Sequence, residues 1–149
     1  MKYYIAYGSN LNEEQMKWRC PNAKIAGTTM LENYELVFKG SRTGSYLTIE
    51  PKKGGEVPVA IWRITDDCEK ALDRYEGFPS FYYKKEMTVT MNSGRQIEAF
   101  AYIMCEERKY GKPSLTYIET CLKGYRDFGF NESKIYNAIK RSIRRMKHE

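Results

Sequence analysis

The 149 residues predict an α+β fold: a compact, mixed but mainly antiparallel β-barrel with flanking helices. Three observations carry that prediction. Strand signals follow one another without helices between them, which argues against a doubly wound parallel sheet. The Asn92-Ser93-Gly94 turn joins two alternating runs into a hairpin. Six or seven short strands with helical periodicity confined to four segments suit a strongly curved sheet able to close on itself.

Lys2 to Tyr7 reads as a strand and Asn12 to Arg19 as a short helix, with Asn12 as N-cap and Gln15 completing a capping box. Cys20-Pro21-Asn22 breaks that helix. Ala23 to Leu31 and Tyr34 to Lys39 are strands, and Gly40 to Gly44 is a polar loop. Tyr46 to Glu50 and Val57 to Ile64 are two more, with Pro51 to Gly55 a turn by composition. Thr65 or Asp66 caps a helix that runs to Tyr75 or Glu76 and stops at Gly77-Phe78-Pro79. Tyr82 to Met91 and Gln96 to Met104 form the hairpin. Ser114 to Phe128 and Asn131 to Met146 are the last two helices.

A chain of this length is one domain with a core of its own. No apolar run approaches the ~20 residues that span a bilayer, and the start has no long apolar stretch of a signal peptide. Cys20, Cys68, Cys105 and Cys121 show no C-x-x-C spacing, so zinc is not expected. They read as free thiols of a cytoplasmic protein. The single histidine, His148, stands on the tail, which removes Cys–His and Ser–His catalysis. Of the net charge of +6, residues Asn131 to Glu149 carry +4, so the basic character belongs to one helix.

Two segments carry candidate chemistry. Tyr4 to Leu11 is an apolar strand that turns through Gly8, Ser9 and Asn10 onto a helix N-terminus. Such a bend aims several free backbone N–H groups at one point, a nest for an anion or a developing oxyanion. Neither the Walker nor the nucleophile-elbow pattern is present. On the helix from Asp66, the residues Cys68, Leu72 and Tyr75 define an inward face, and Glu76 projects from the same side. Glu69 and Asp73 fall on a more polar arc. A carboxylate sunk beside Phe78, Phe81 and Tyr82 would have its pKa raised toward neutrality, as a general base requires. A proton shuttle plus an anion nest, with no nucleophile, metal or cofactor fingerprint, suits a reaction whose nucleophile belongs to the substrate.

At these residues the chain resembles the γ-glutamylcyclotransferase family, especially its small bacterial single-domain members, up to about Phe130. Tyr7-Gly8-Ser9-Asn10-Leu11 matches the family's signature, and Asp73 to Gly77 with Phe78 and Pro79 matches the segment carrying its catalytic glutamate. Val59 to Trp62 resembles the preceding strand. Tyr83, Tyr102 and Tyr117 fall on family tyrosines. The resemblance implies a γ-glutamylcyclotransferase-like domain over residues 1–130; by their charge and apolar stripe, residues 131–149 read as a basic amphipathic helix packed on it. It implies an enzyme acting on a small γ-glutamyl amine or peptide without metal or cofactor and releasing 5-oxoproline. Glu76 would be general acid/base. Tyr7, Gly8, Ser9, Asn10 and Leu11 would hold the head group, and Tyr83, Tyr102 and Tyr117 would orient it. The loop Lys39 to Ser45 and the strand Tyr46 to Ile49 match only loosely, which leaves the leaving group open.

Two rival readings stand beside it. One is a silent ligand-binding or interaction domain on the same fold. The other is nucleic-acid binding through the last helix, where Ile135, Ile139, Ile143 and Met146 form an apolar stripe and the basic residues lie off it. That helix is expected to pack and solvate its outer face instead, and no membrane partner is expected. The oligomeric state is not legible.

Overall fold

The computed structural model describes residues 1–41 and 44–149. Six strands form one sheet in the order β4-β5-β1-β3-β2-β6, curled into a half-barrel. In chain order they are β1 (Lys2–Ala6), β2 (Lys24–Ser41), β3 (Gly44–Ile64), β4 (Tyr82–Thr90), β5 (Gln96–Met104) and β6 (Lys109–Tyr110). The helices are α1 (Glu13–Arg19), α2 (Asp66–Glu76), α3 (Leu115–Phe128) and α4 (Ser133–Met146). Every strand pair is antiparallel except β1 with β5, which run parallel at Tyr4 and Phe100. The mixed, mainly antiparallel α+β architecture is the one expected.

The middle of the sheet differs from the expected four short strands. β2 and β3 are single long strands that pair from Lys24–Arg63 to Ser41–Gly44. Pro51 to Gly55 is no turn: the register jumps from Glu32–Glu56 to Tyr34–Pro51, so the extra β3 residues form a bulge. Asn33, in the left-handed region at φ 66°, absorbs the kink, and its Oδ1 accepts the Gly54 amide. A Cβ on Gly55 would stand 2.3 Å from the Tyr34 carbonyl oxygen, so the close approach demands glycine. Pro, Gly and Lys therefore mark a bulge where composition alone reads a turn. Of the expected Gly40–Gly44 loop, Gly40 and Ser41 close β2 and Gly44 opens β3; Arg42 and Thr43 lie outside the described residues. The short β6, which pairs with Lys39 and Gly40, had no strand signal.

β1 lies between β3 and β5, and Tyr4, Ile5 and Ala6 are buried. The chain leaves it through a 3-10 turn (Ser9–Leu11) into α1. Asn12 caps α1 by accepting the Gln15 amide. The reciprocal half of the capping box is absent, because the Gln15 side chain accepts from Arg19 instead. α3 packs on the turn through Gly124, where a Cβ would meet Asn12 N and Leu11 C at 2.7 Å. α4 lies on β2. Its buried residues are Ile135, Ala138 and Ser142, while Met146 is exposed, so the seam is rotated from the all-apolar stripe expected. A serine joins the seam because Ser142 Oγ accepts the Phe38 amide and donates to the Ala138 carbonyl. Arg141 and Arg145 reach back to Glu35, whereas Lys140, Arg144 and Lys147 face solvent.

The cysteines correct a second expectation. Cys20 at the end of α1 and Cys68 on the inner face of α2 form a disulfide, with Cα atoms 5.0 Å apart. Cys105 and Cys121 remain free. A pair 48 positions apart has no sequence signature; the packing of α1 against α2 creates it. Among the described residues no helix is long and apolar enough to cross a membrane.

Candidate active site

The bend after β1 and the end of α2 open onto the same cavity of about 400 Å³, lined by Gly8, Ser9, Asn10, Glu76 and a wall of aromatic rings. Its size suits a small molecule.

Local structure places each half. Thr65 caps α2 by accepting the Cys68 amide. Gly77, at φ 68°, ends the helix with its amide on the Arg74 carbonyl, and the Phe78 amide returns to Asp73. Glu76 is therefore the last helical residue. On the other side, the amides of Leu11 and Asn12 are bonded to the carbonyls of Gly8 and Ser9. Among the described residues, the backbone amides of Gly8, Ser9 and Asn10 have no protein acceptor. A Cβ at Gly8 would lie 3.4 Å from Leu47 Cβ and 3.5 Å from the Tyr117 hydroxyl, ordinary contact distances that place the bend directly against both residues.

Asn10 joins the two halves. Its Nδ2 donates to the Tyr4 hydroxyl at 2.8 Å and, at a long 3.4 Å, to Glu76 Oε1. The Ser9 and Tyr75 hydroxyls share a hydrogen bond of 3.0 Å. Burial pushes the Glu76 carboxyl up to about 7, with Arg19 acting in the opposite sense. The residue as a whole is half-buried and lines the cavity. Burial and the Glu76 charge both hold the Tyr7 phenol well above its ordinary value, so it is neutral. Burial likewise pushes the Cys121 thiol up to about 12, which leaves it without nucleophilic thiolate.

The structure sorts the candidate residues. Tyr7, Gly8, Ser9, Asn10, Glu76, Tyr102 and Tyr117 line the cavity. Leu11 does not; it is fully buried in the core beneath the bend. Tyr83 does not either, and its hydroxyl donates to Glu106. The reason is strand period. Tyr82 and Tyr83 face opposite sides of β4, and the register puts Tyr82 beside Met104 and Lys84 beside Tyr102. The cavity face is therefore the Tyr82 face. Tyr82 lines the cavity and donates to the Leu47 carbonyl at 2.7 Å. Tyr7 donates to the Tyr102 carbonyl, and the Tyr102 hydroxyl donates to Asp73, so both phenols are tied at 2.6 Å. Tyr4 and Tyr46 line the cavity without having been singled out in the sequence, whereas Tyr75, Phe81 and Tyr82 line it as the neighbours of Glu76 that the sequence named. The β4–β5 register is what assigns the cavity to Tyr82 over Tyr83.

Comparison with known proteins identifies the family and the fold. Residues 4–120 match the family described as Gamma-glutamyl cyclotransferase, AIG2-like. The gamma-glutamylcyclotransferase of Bos taurus is 31% identical over 134 residues, covering 85% of this chain and 71% of that protein. The Homo sapiens gamma-glutamylcyclotransferase has the same identity and coverage. A solved structure named Gamma-glutamyl cyclotransferase superposes with a TM-score of 0.78 at 28% identity, covering 85% of this chain and 79% of the other. YkqA from Bacillus subtilis, at 18% identity and a TM-score of 0.75 over 93% of this chain and 54% of that one, shares the fold. By sequence match and by fold, the chain belongs to the gamma-glutamyl cyclotransferase, AIG2-like family of enzymes.

Proposed function

We propose that this enzyme cyclises a small γ-glutamyl amine or peptide, with Glu76 as general acid/base. The substrate's head group lies against the Gly8 to Asn10 bend. Glu76 takes a proton from the α-ammonium, and the freed amine attacks the γ-carbonyl carbon. A new C–N bond closes the five-membered ring. The bond to the original amide nitrogen then breaks, with Glu76 returning a proton to the leaving nitrogen. The products are 5-oxoproline and the free amine. The amides of Gly8, Ser9 and Asn10 stabilise negative charge on the α-carboxylate or on the oxyanion. Tyr7, Tyr102 and Tyr117 shape the cavity around the head group.

One observation carries the reading: the Glu76 carboxylate and the unpaired amides face one cavity and are bridged by Asn10. A carboxyl that titrates near 7 can both take and return a proton at neutral pH. Intramolecular attack needs no protein nucleophile, since proximity already lowers its barrier by several kcal/mol.

The test is a panel of γ-glutamyl peptides and amines assayed for released 5-oxoproline, with parent and Glu76→Gln. The parent should turn over at least one member, and the variant should lose about 10²-fold or more in kcat while staying folded. If no member reacts at high enzyme concentration and a γ-glutamyl ligand still binds both proteins alike, the fold serves here as a ligand-binding domain.

A further inference from the structure

Arg19, the last residue of α1, lines no part of the cavity, yet it contacts two residues that do. Its Nη1 donates to Asn10 Oδ1 at 2.7 Å, and its Nη2 donates to Gln15 Oε1 at 2.6 Å. Its guanidinium carbon stands 3.5 Å from the centre of the Tyr75 ring, whose hydroxyl meets Ser9. The next residue, Cys20, is bonded to Cys68 of α2, the helix that ends in Glu76.

We propose that Arg19 is a positioning residue for the cyclisation: it locks the Asn10 amide in the one orientation that presents Nδ2 to Glu76. The inference rests on the general acid/base reading of Glu76. The chemistry is asymmetric. Guanidinium only donates, so the amide atom facing it must be the oxygen. Nδ2 is thereby committed to Tyr4 and Glu76. Without Arg19 the amide can turn over and set Oδ1 against the carboxylate, oxygen against oxygen. Stacking on Tyr75 and the bond to Gln15 hold the guanidinium plane, which a lysine cannot reproduce.

The groups facing Glu76 from the elements around it are Tyr4 from β1, Tyr7 from the bend that follows it, Tyr82 from β4, Tyr102 from β5 and Arg19 from α1. Arg74 and Tyr75 stand beside it on α2, and Tyr117 of α3 lines the same cavity. The tyrosines are held neutral by burial, so Arg19 is the outside charge that favours the ionised carboxylate.

The experiment compares parent, Arg19→Met and Arg19→Lys in two measurements. One is the pH profile of kcat and kcat/KM on the best γ-glutamyl substrate. The other is an NMR titration of the Glu76 carboxyl in the substrate-free protein. Arg19→Met should lower kcat about tenfold or more with KM within about threefold. It should also move the acidic limb and the Glu76 titration upward together, by roughly half a unit or more. Arg19→Lys should restore the titration, because a cation is back, but not kcat, because the amide is no longer locked. An Arg19→Met protein with unchanged limb and titration, or one whose lost rate matches its unfolded fraction, overturns the proposal. So does full recovery of kcat in Arg19→Lys. Should Glu76→Gln retain turnover, the acid/base reading falls, while the NMR titration still reports whether Arg19 acts on Glu76.

Discussion

The side-chain amide of Asn10 stands 3.4 Å from the carboxylate of Glu76 across 66 positions of sequence. That single approach turns a strand-to-helix bend and a helix terminus into two walls of one cavity. It fixes what a change at either wall should do.

The first consequence is a pH profile. Burial holds the Glu76 carboxyl at about 7 rather than 4.5, and a general base works deprotonated. The rate constant kcat/KM should therefore climb with pH through about 7 and level off above it. Initial rates on a γ-glutamyl substrate between pH 5 and 9 check this (a range of roughly two units either side of that titration). A limb at the ordinary carboxylate position would assign the proton transfer to another group.

The same burial has a cost in stability, and its sign follows from linkage. The unfolded chain releases the Glu76 proton near 4.5 and the folded chain keeps it to about 7. Between those values the folded state binds more protons, so stability falls as pH rises. The penalty is absent below the lower value and complete above the upper one, at roughly 3 kcal/mol. Glu76→Gln has no charge to desolvate. It should unfold at higher denaturant than the parent at about pH 8 and alongside it at about pH 4. A parent more stable than the variant at the higher pH would contradict a desolvated carboxylate.

Gly124→Ala tests how the bend is supported. The added methyl would lie 2.7 Å from the Asn12 nitrogen and the Leu11 carbonyl carbon, both backbone atoms that cannot swing aside. α3 must back away from the bend, at about 1–3 kcal/mol. Thermal unfolding should show the loss, and activity should fall beyond the unfolded fraction because the Gly8 to Asn10 amides move with the bend. Unchanged melting temperature and rate would mean that α3 does not brace the site.

The tyrosines separate by strand face. Tyr83→Phe should leave kcat and KM within about twofold, because its hydroxyl lies outside the cavity. Tyr82→Phe leaves the Leu47 carbonyl short of a buried partner and should destabilise by roughly 1–3 kcal/mol. Steady-state kinetics and denaturant melts on the two variants check the contrast. A large kinetic loss in Tyr83→Phe would require the cavity to extend across β4.

Thiol counting tests the disulfide. Without reductant the unfolded protein should show two reactive thiols, from Cys105 and Cys121, and four after reduction. In the native state Cys105 should react first, since Cys121 is buried. Cys68→Ser should lower stability by roughly 2–4 kcal/mol, the chain-entropy worth of a long closed loop. Four thiols in the unreduced protein would return the pair to the reduced state expected from spacing alone.

Several features were legible in the linear chain because their causes are local. The glycine stop at position 77, the cap Asn12, the cap at Thr65 or Asp66 (Thr65 in the fold) and the Gly8 bend all act within one turn of backbone. Helical period placed Cys68 and Leu72 on the buried side of α2, but it also put Tyr75 inward and Glu69 on the polar arc, whereas Tyr75 is exposed and Glu69 is buried against Lys2 and Lys84. The order of strands and helices excluded a parallel sheet, and the family motifs pointed to a γ-glutamyl substrate. Tertiary structure decided the rest, because those features depend on contacts between distant segments. The bulge at Pro51 to Gly55 exists only opposite Asn33, and Cys20 meets Cys68 only where α1 lies on α2. Register between β4 and β5 chooses Tyr82 over Tyr83 for the cavity. Arg19 acquires its place beside Asn10 from the return of α1 along the bend, a geometry that no period or motif encodes.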